Sequence, residues 1–341
     1  MRAKKENERC YVVVCGYDDE PRAKELGASL EVRYSLIRDF FAQDEQIVVL
    51  EVDDSRLGID ESMSDNNWLV WQDAIRRLLP QGEDDHYTWY VSEPFYQQAL
   101  ERLNVLHAAV VLVERRLAFS ASDIRRRPQC YWRHVAMPFR RFLSHNILVM
   151  GTASEGKSTL VRDVARYHGI PFVEEYARTY MQEHHKVDEM LETADYVVFL
   201  KEQNRQMRET VSSAANPGCC IADTDNLVTL MYAQAAAWDP NMLVSQEDYD
   251  HVLLPLARQL ADTIRWGKIF LLTPKSVYVD DGFRYMGHAD MSERMRHLAL
   301  LEQLLSEFGL SDRVERLHGT KLENYLTVRN YIEEVLDDTK K

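Results

Sequence analysis

The residues with the clearest chemical potential form one short run, Gly151-x-x-x-x-Gly156-Lys157-Ser158, inside NILVMGTASEGKSTLVRDVA. This spacing matches the phosphate-binding P-loop without a mismatch. The glycines let the backbone turn tightly and approach a phosphate. Successive N–H groups then form an anion nest, and the following helix adds the positive end of its dipole. Gly151, Ser154, Glu155, Gly156, Lys157, Ser158 and Thr159 are the expected nucleotide contacts. Lys157 would reach the β- and γ-phosphates, and the Ser158 hydroxyl would bind Mg²⁺. ATP with Mg²⁺ is the expected cofactor pair.

Three further groups follow short apolar strands. Cys219-Cys220-Ile221-Ala222 runs into Asp223-Thr224-Asp225. In a doubly wound sheet ligands bind beyond the carboxyl ends of the strands, so both aspartates are expected at the nucleotide site. Asp225 could instead cap the helix that starts at Asn226. Pro171–Val173 runs into Glu174, Glu175, Tyr176, Ala177 and Arg178. On spacing alone these could equally be a solvated helix start, with acids favoured by the dipole. Tyr278-Val279-Asp280-Asp281-Gly282-Phe283-Arg284 precedes Arg294 and Arg296. Arginines in such a loop could neutralise a transferring phosphoryl group. Spacing alone is explained better by a surface loop with ion pairs.

The elements that must position these residues alternate strand and helix, which predicts parallel α/β folds. In the first stretch, strands are expected at Tyr11–Val14, Ile47–Val52, Tyr87–Val91 and Ala108–Val113. Helices are expected at Glu25–Phe41, Trp68–Leu79 and Tyr96–Leu103. In the second, strands are expected at Asn146–Met150, Pro171–Val173, Cys219–Ala222 and Ile269–Leu272. Helices are expected at Lys157–Tyr167, Asp188–Val211, Asn226–Ala237, His251–Trp266, Met291–Phe308 and Asn324–Leu336. The division falls near Ser144, giving domains 1–144 and 145–341.

Bulk properties narrow the function classes. The chain has 341 residues, 45% hydrophobic and 28% charged, as soluble globular proteins do. A net charge of −14 repels a phosphate backbone, so nucleic acid is not an expected partner. No stretch predicts membrane insertion or a signal peptide, and the cytoplasm is the expected location. Cys10, Cys15, Cys130, Cys219 and Cys220 form no C-x-x-C pair, which argues for reduced thiols rather than zinc ligands. A small-molecule substrate is the expected partner, and a homo-oligomer is compatible with the sequence.

Taken together, GTASEGKSTL, EEYAR, IADTD and YVDDGFR resemble the kinase domain of the NadR-type proteins. These join a nicotinamide-nucleotide adenylyltransferase to a ribosylnicotinamide kinase. The resemblance implies two doubly wound domains: an N-terminal nucleotidyltransferase-like, Rossmann-like domain and a C-terminal P-loop kinase domain with a parallel sheet. It implies phosphorylation of nicotinamide riboside at its 5′-hydroxyl. Lys157, Asp223, Asp225 and Arg284 would be catalytic, with Ser158 and Asp223 at the metal. Glu174, Glu175, Arg178, Tyr278 and Asp281 would meet the substrate, and Arg294 would be a second arginine on the nucleotide. Tyr278 stands where many members carry tryptophan, able to stack on the cationic ring.

In the N-terminal half, Phe119-Ser120-Ala121-Ser122-Asp123-Ile124-Arg125 is similar to the nucleotidyltransferase I-S-x-T-x-I-R segment, which implies a nucleotide site at Ser120, Ser122 and Arg125. The family's H-x-G-H motif has no counterpart, since the first histidine is His86. A vestigial domain without adenylyl transfer is therefore expected, through a shortened protein or a misassigned start. A bifunctional enzyme and a nucleotide-sensing regulator are the alternative functions.

Overall fold

The computed structural model describes residues 2–17, 23, 26–60, 62, 64–80, 82, 85–114, 117–275, 277, 278 and 289–337. Asp281 and Arg284 lie outside the described residues. The chain forms two compact units, Met1–Ser120 and Ala121–Lys341.

In the first unit, β1 (Cys10–Gly16) runs parallel to β2 (Ile47–Asp53), with Cys10 opposite Ile47 and Gly16 opposite Asp53. A second parallel pair joins β3 (Thr88–Val91) to β4 (Ala109–Leu112). The connecting helices start where short polar side chains satisfy exposed backbone donors. Ser29 accepts from the Val32 N–H at the head of Leu30–Phe40, and Ser64 accepts from the Asn67 N–H at the head of Asp65–Leu78. The apolar face of the latter carries Trp68 and Trp71, and Trp71 stacks on Trp89 at 5.6 Å. Gln72, fully buried on that helix, is satisfied at both ends of its amide, donating to the Leu103 carbonyl and accepting from the Val105 N–H.

The second unit is a five-stranded parallel sheet in the order β6-β7-β5-β8-β9. Its strands are β5 (His145–Gly151), β6 (Phe172–Val173), β7 (Cys219–Asp223), β8 (Trp266–Leu272) and β9 (Val314–Leu317). Helices cover both faces, which is why β5 and β7 are continuous apolar runs rather than alternating ones. On one face Lys157–His168 and Lys321–Asp337 pack over Ile147, Val149, Ile221 and Phe270. On the other, Thr193–Ser212, Asn226–Trp238 and Met291–Glu307 enclose Leu148, Met150, Cys220 and Leu271. The strand order reverses direction at β5, so a crevice opens at its carboxyl end, the topological switch point. No helix among the described residues is long and apolar enough to cross a membrane.

Segment 121–144 packs within the second unit. Arg140 donates to the Ser213 carbonyl at 2.9 Å and lies 5.4 Å over the Trp132 ring, while Gln129 reaches the Gly218 carbonyl. Other boundaries also differ from those expected. The helix expected to reach Trp266 stops at Ala261 and Trp266 opens β8. The end is fixed by Thr263, whose hydroxyl turns back to the Leu260 carbonyl. Tyr176–His184 is a helix, and Val314–Leu317 an additional strand.

The central crevice depends on close approach of β5 and β8. Gly151 has φ +145°, and a Cβ there would sit 2.6 Å from the Leu272 carbonyl oxygen. We therefore expect Gly151→Ala to lower stability by about 2 kcal/mol or more, through strain at a conformation and spacing that alanine cannot accept. Thermal or denaturant unfolding measures this, and an alanine variant as stable as the parent would refute the contact.

Candidate functional site

The chain leaves β5 through a sharply curved loop. Ser154 and Gly156 both take the left-handed conformation, at φ 66° and 81°. Gly156 is the N-cap of helix Lys157–His168, a position where its missing Cβ removes the steric cost. Lys157 is buried, and its ammonium donates to the Thr152 carbonyl at 3.0 Å, holding the loop closed on itself. Ser158 is half-buried in the first helical turn, and Thr159 beside it is exposed.

Asp223 ends β7 directly opposite Val149 of β5, which brings it to the loop. It is only 2% exposed. Burial pushes its carboxyl above the usual range, and Glu175 adds to the rise. Lys157, a hydrogen bond from Ser158 and Arg178 act the other way. Lys157, Ser158, Glu175, Arg178 and Asp223 are thus brought together from three strand ends. The next residue, Thr224, adopts φ 74°, an uncommon conformation for a β-branched side chain. It is held there by its N–H on the Val149 carbonyl at 3.0 Å and by Gln203 on its own carbonyl.

That kink sends Asp225 elsewhere. Its carboxylate accepts from the Leu227 N–H at 3.0 Å and caps helix Asn226–Trp238. It borders a different cavity, beside Trp266, Leu260 and Phe308. Of the two aspartates expected at the nucleotide site, Asp223 lies beside the loop, whereas Asp225 sits at a helix N-terminus.

Beside Lys157 lies a cleft that is partly open to solvent. Glu175, Arg178 and Tyr278, three of the expected substrate residues, line it. Asp188, Tyr196 and Tyr232 line it as well, and no spacing or motif marks them as a group. Asp188 comes from a 3-10 turn and the tyrosines from helix positions that read as ordinary core. The turn is anchored by Asp195, which accepts two contacts from Lys186 at 2.6 and 2.7 Å and one from Tyr180 at 2.8 Å. Burial alone would raise the Asp195 carboxyl. Lys186, the Glu192 N–H and Tyr180 outweigh it and hold the group below the usual range.

Several expected residues lie outside this cluster. Glu174 is exposed and pairs with Arg162 at 2.8 Å, because adjacent residues leaving a strand project to opposite sides. Arg294, expected on the nucleotide, is 2% exposed and forms an ion pair with Glu155 of the loop. Arg125 donates to Ser122 at 3.0 Å on an exposed short helix, and Ser120 is the last residue of the first unit.

The model of the AAA domain family matches residues 146–315, which span the loop, Asp223 and β8. The structure is also similar, over 98% of its length, to the crystal structure of NadR protein in complex with NR. It covers 90% of that chain at 31% identity with a TM-score of 0.80. The chain belongs to the NadR family. A NadR crystal structure in complex with NAD and AMP-PNP matches at 29% identity and a TM-score of 0.77, with 98% of this chain and 90% of that one covered. The trifunctional NAD biosynthesis/regulator proteins NadR of Salmonella typhimurium and Escherichia coli are each 26% identical over 247 residues, which is 71% of this chain. That alignment is 55% of theirs, so the chain spans about half the length of these curated relatives.

The burial of Asp225 at its cap gives a pH signature in stability. Burial pushes its carboxyl from an ordinary 3.8 up to about 7, partly offset by hydrogen bonds from Leu227, Val228 and Trp266. The folded state therefore holds the proton more tightly than the unfolded chain. This contribution to stability is full below about pH 4 and is lost as the pH rises through about 7. Asparagine caps equally well and does not titrate. Asp225→Asn should gain stability relative to the parent between pH 4 and pH 7.5, by at most about 4 kcal/mol. Equilibrium unfolding across that range checks this; a difference flat with pH counts against the assignment.

Proposed function

We propose that this chain transfers the γ-phosphoryl group of ATP to the 5′-hydroxyl of nicotinamide riboside, giving nicotinamide mononucleotide. The observation that carries the proposal is the meeting of Lys157, Ser158 and Asp223 at one strand-end crevice, against a cleft whose walls are aromatic and acidic. Two NadR crystal structures, one in complex with NR and one with NAD and AMP-PNP, support the choice of acceptor and donor. The cleft suits the acceptor chemically. A nicotinamide ring joined to ribose carries a permanent positive charge, which the face of Tyr278 and the carboxylates of Glu175 and Asp188 would attract.

The residues also fit Mg²⁺. A hydroxyl and a carboxylate in mutual contact, Ser158 and Asp223, form a hard oxygen pair. Mg²⁺ is usually held by one or two such protein groups together with phosphate oxygens and water. Among the described residues no cluster of three or more His, Cys, Asp or Glu could bind a metal unaided, as that mode of binding requires none. When bound, Mg²⁺ would neutralise charge on the phosphates. The backbone N–H groups of 152–157 would cradle the β-phosphate, and Lys157 would exchange its Thr152 carbonyl for phosphate oxygens. Glu175, beside Lys157 at the cleft, would accept the proton of the attacking hydroxyl. As the new bond from that oxygen to the γ-phosphorus forms, the bond to the β-phosphate oxygen breaks and ADP leaves. Arg178 would offset the charge gathered there.

Within this proposal the first unit carries out no adenylyl transfer, because residues 1–85 contain no histidine to stabilise a triphosphate. Purified chain with ATP, Mg²⁺ and nicotinamide riboside should form the mononucleotide. Lys157→Ala and Asp223→Asn should each slow turnover at least about a hundredfold. Chromatography of the products checks both, and turnover of another nucleoside with none of nicotinamide riboside would remove the acceptor assignment. The same protein given nicotinamide mononucleotide and ATP should yield no NAD, whereas NAD and pyrophosphate above an enzyme-free control would restore the bifunctional alternative.

A further inference from the structure

Glu155 occupies a place in the phosphate loop where a carboxylate is poorly suited to an anion. Its side chain is 3% exposed, and that of its ion-pair partner Arg294 is 2% exposed. The same Glu155 oxygen accepts from the backbone N–H of Lys275 at 3.0 Å, just after β8. Arg294 also donates to the Ala153 carbonyl at 3.2 Å, a second point on the loop. Its guanidinium lies 5.7 Å over the ring of Tyr278, and Tyr278 lines the acceptor cleft. A continuous set of contacts, buried at the Glu155–Arg294 pair, therefore runs from the phosphate loop to the wall of the neighbouring cleft.

We infer that Glu155 is a positioning residue rather than a phosphate ligand, and that the Glu155–Arg294–Tyr278 contacts couple the two substrate sites. A phosphate seated on the loop fixes residues 152–157. Glu155 then fixes Arg294 and Lys275, and Arg294 fixes the ring of Tyr278. The second substrate meets a wall that is already ordered and loses less freedom on binding. The coupling is reciprocal, so each substrate raises the affinity of the other by the same factor. The identity of the acceptor rests on the function proposed above; the transmission from loop to helix does not.

The test uses the full chain with AMP-PNP·Mg²⁺ as the donor probe. Hydrogen exchange is followed at residues 291–297, the start of helix Met291–Glu307, and nicotinamide riboside affinity is measured with and without the probe. In the parent protein the probe should slow exchange there about fivefold and raise nicotinamide riboside affinity about fivefold or more. Glu155→Gln should abolish both effects while nucleotide affinity, measured alone, stays within about threefold. Removing one member of a buried pair strands a charge, so Glu155→Gln with Arg294→Met serves as the folded control and should show the same loss. Persistence of either effect in the double variant overturns the proposal, as does a tenfold loss of nucleotide affinity in Glu155→Gln, which would make Glu155 part of the phosphate cradle. Parent protein that shows slowed exchange but binds no nicotinamide riboside supports the transmission and overturns the acceptor assignment instead.

Discussion

A carboxylate kept almost dry at the end of a β-strand sets the terms for the rest of the second unit. Asp223 is useful beside a phosphate only if it can stay ionised, and burial works against that. The nearby ammonium of Lys157 is the largest opposing influence, followed by the hydroxyl of Ser158 and the guanidinium of Arg178. Lys157 is itself buried and needs the Thr152 carbonyl, which requires the loop to fold back on its own start. The loop can do so because Gly151 lets β5 finish against the Leu272 carbonyl of β8. The charge balance at Asp223 thus reaches back to the spacing of two strands in the sheet.

Much of this was legible in the sequence because its causes are local. A strand running into G-x-x-x-x-G-K-S announces the loop, and unbroken apolar runs such as Cys219–Ala222 announce strands covered on both faces. Serines at positions 29 and 64 set helix starts in the first unit close to where the apolar spacing begins. The additional strand β9 was hidden for the opposite reason. Val314-Glu315-Arg316-Leu317 is short, half charged and at a sheet edge, where its charges can face solvent without penalty.

What the sequence left open depended on tertiary contacts. Asp223 and Asp225 are two apart, and simple alternation would place them on one side. Thr224 breaks the alternation with a conformation that a β-branched residue rarely adopts, maintained by Val149 and Gln203 from elsewhere in the chain. Glu174 and Glu175 could not be ranked by spacing, yet one meets Arg162 at the surface and the other lines the cleft. Asp188 reaches the cleft from a turn bracketed by the contacts of Asp195 with Lys186 and Tyr180. No single window of sequence contains that network.

Arg294 shows why an arginine near a nucleotide site is not thereby a phosphate ligand. Its guanidinium is engaged by Glu155 and the Ala153 carbonyl, and both belong to the loop that would hold the phosphate. A buried ion pair is weak evidence of stability, since two apolar residues of similar size often fill the same space at no greater cost. Stability therefore does not account for placing a carboxylate inside an anion-binding loop. Position does: Glu155 is the residue through which Lys275 and Arg294, on either side of the Tyr278 segment, both hold the loop. The pair links the phosphate loop to the wall of the neighbouring cleft in a way that an apolar replacement would not reproduce, because dispersion contacts lack the directional fork that fixes a guanidinium against a carboxylate, a carbonyl and an aromatic face at once.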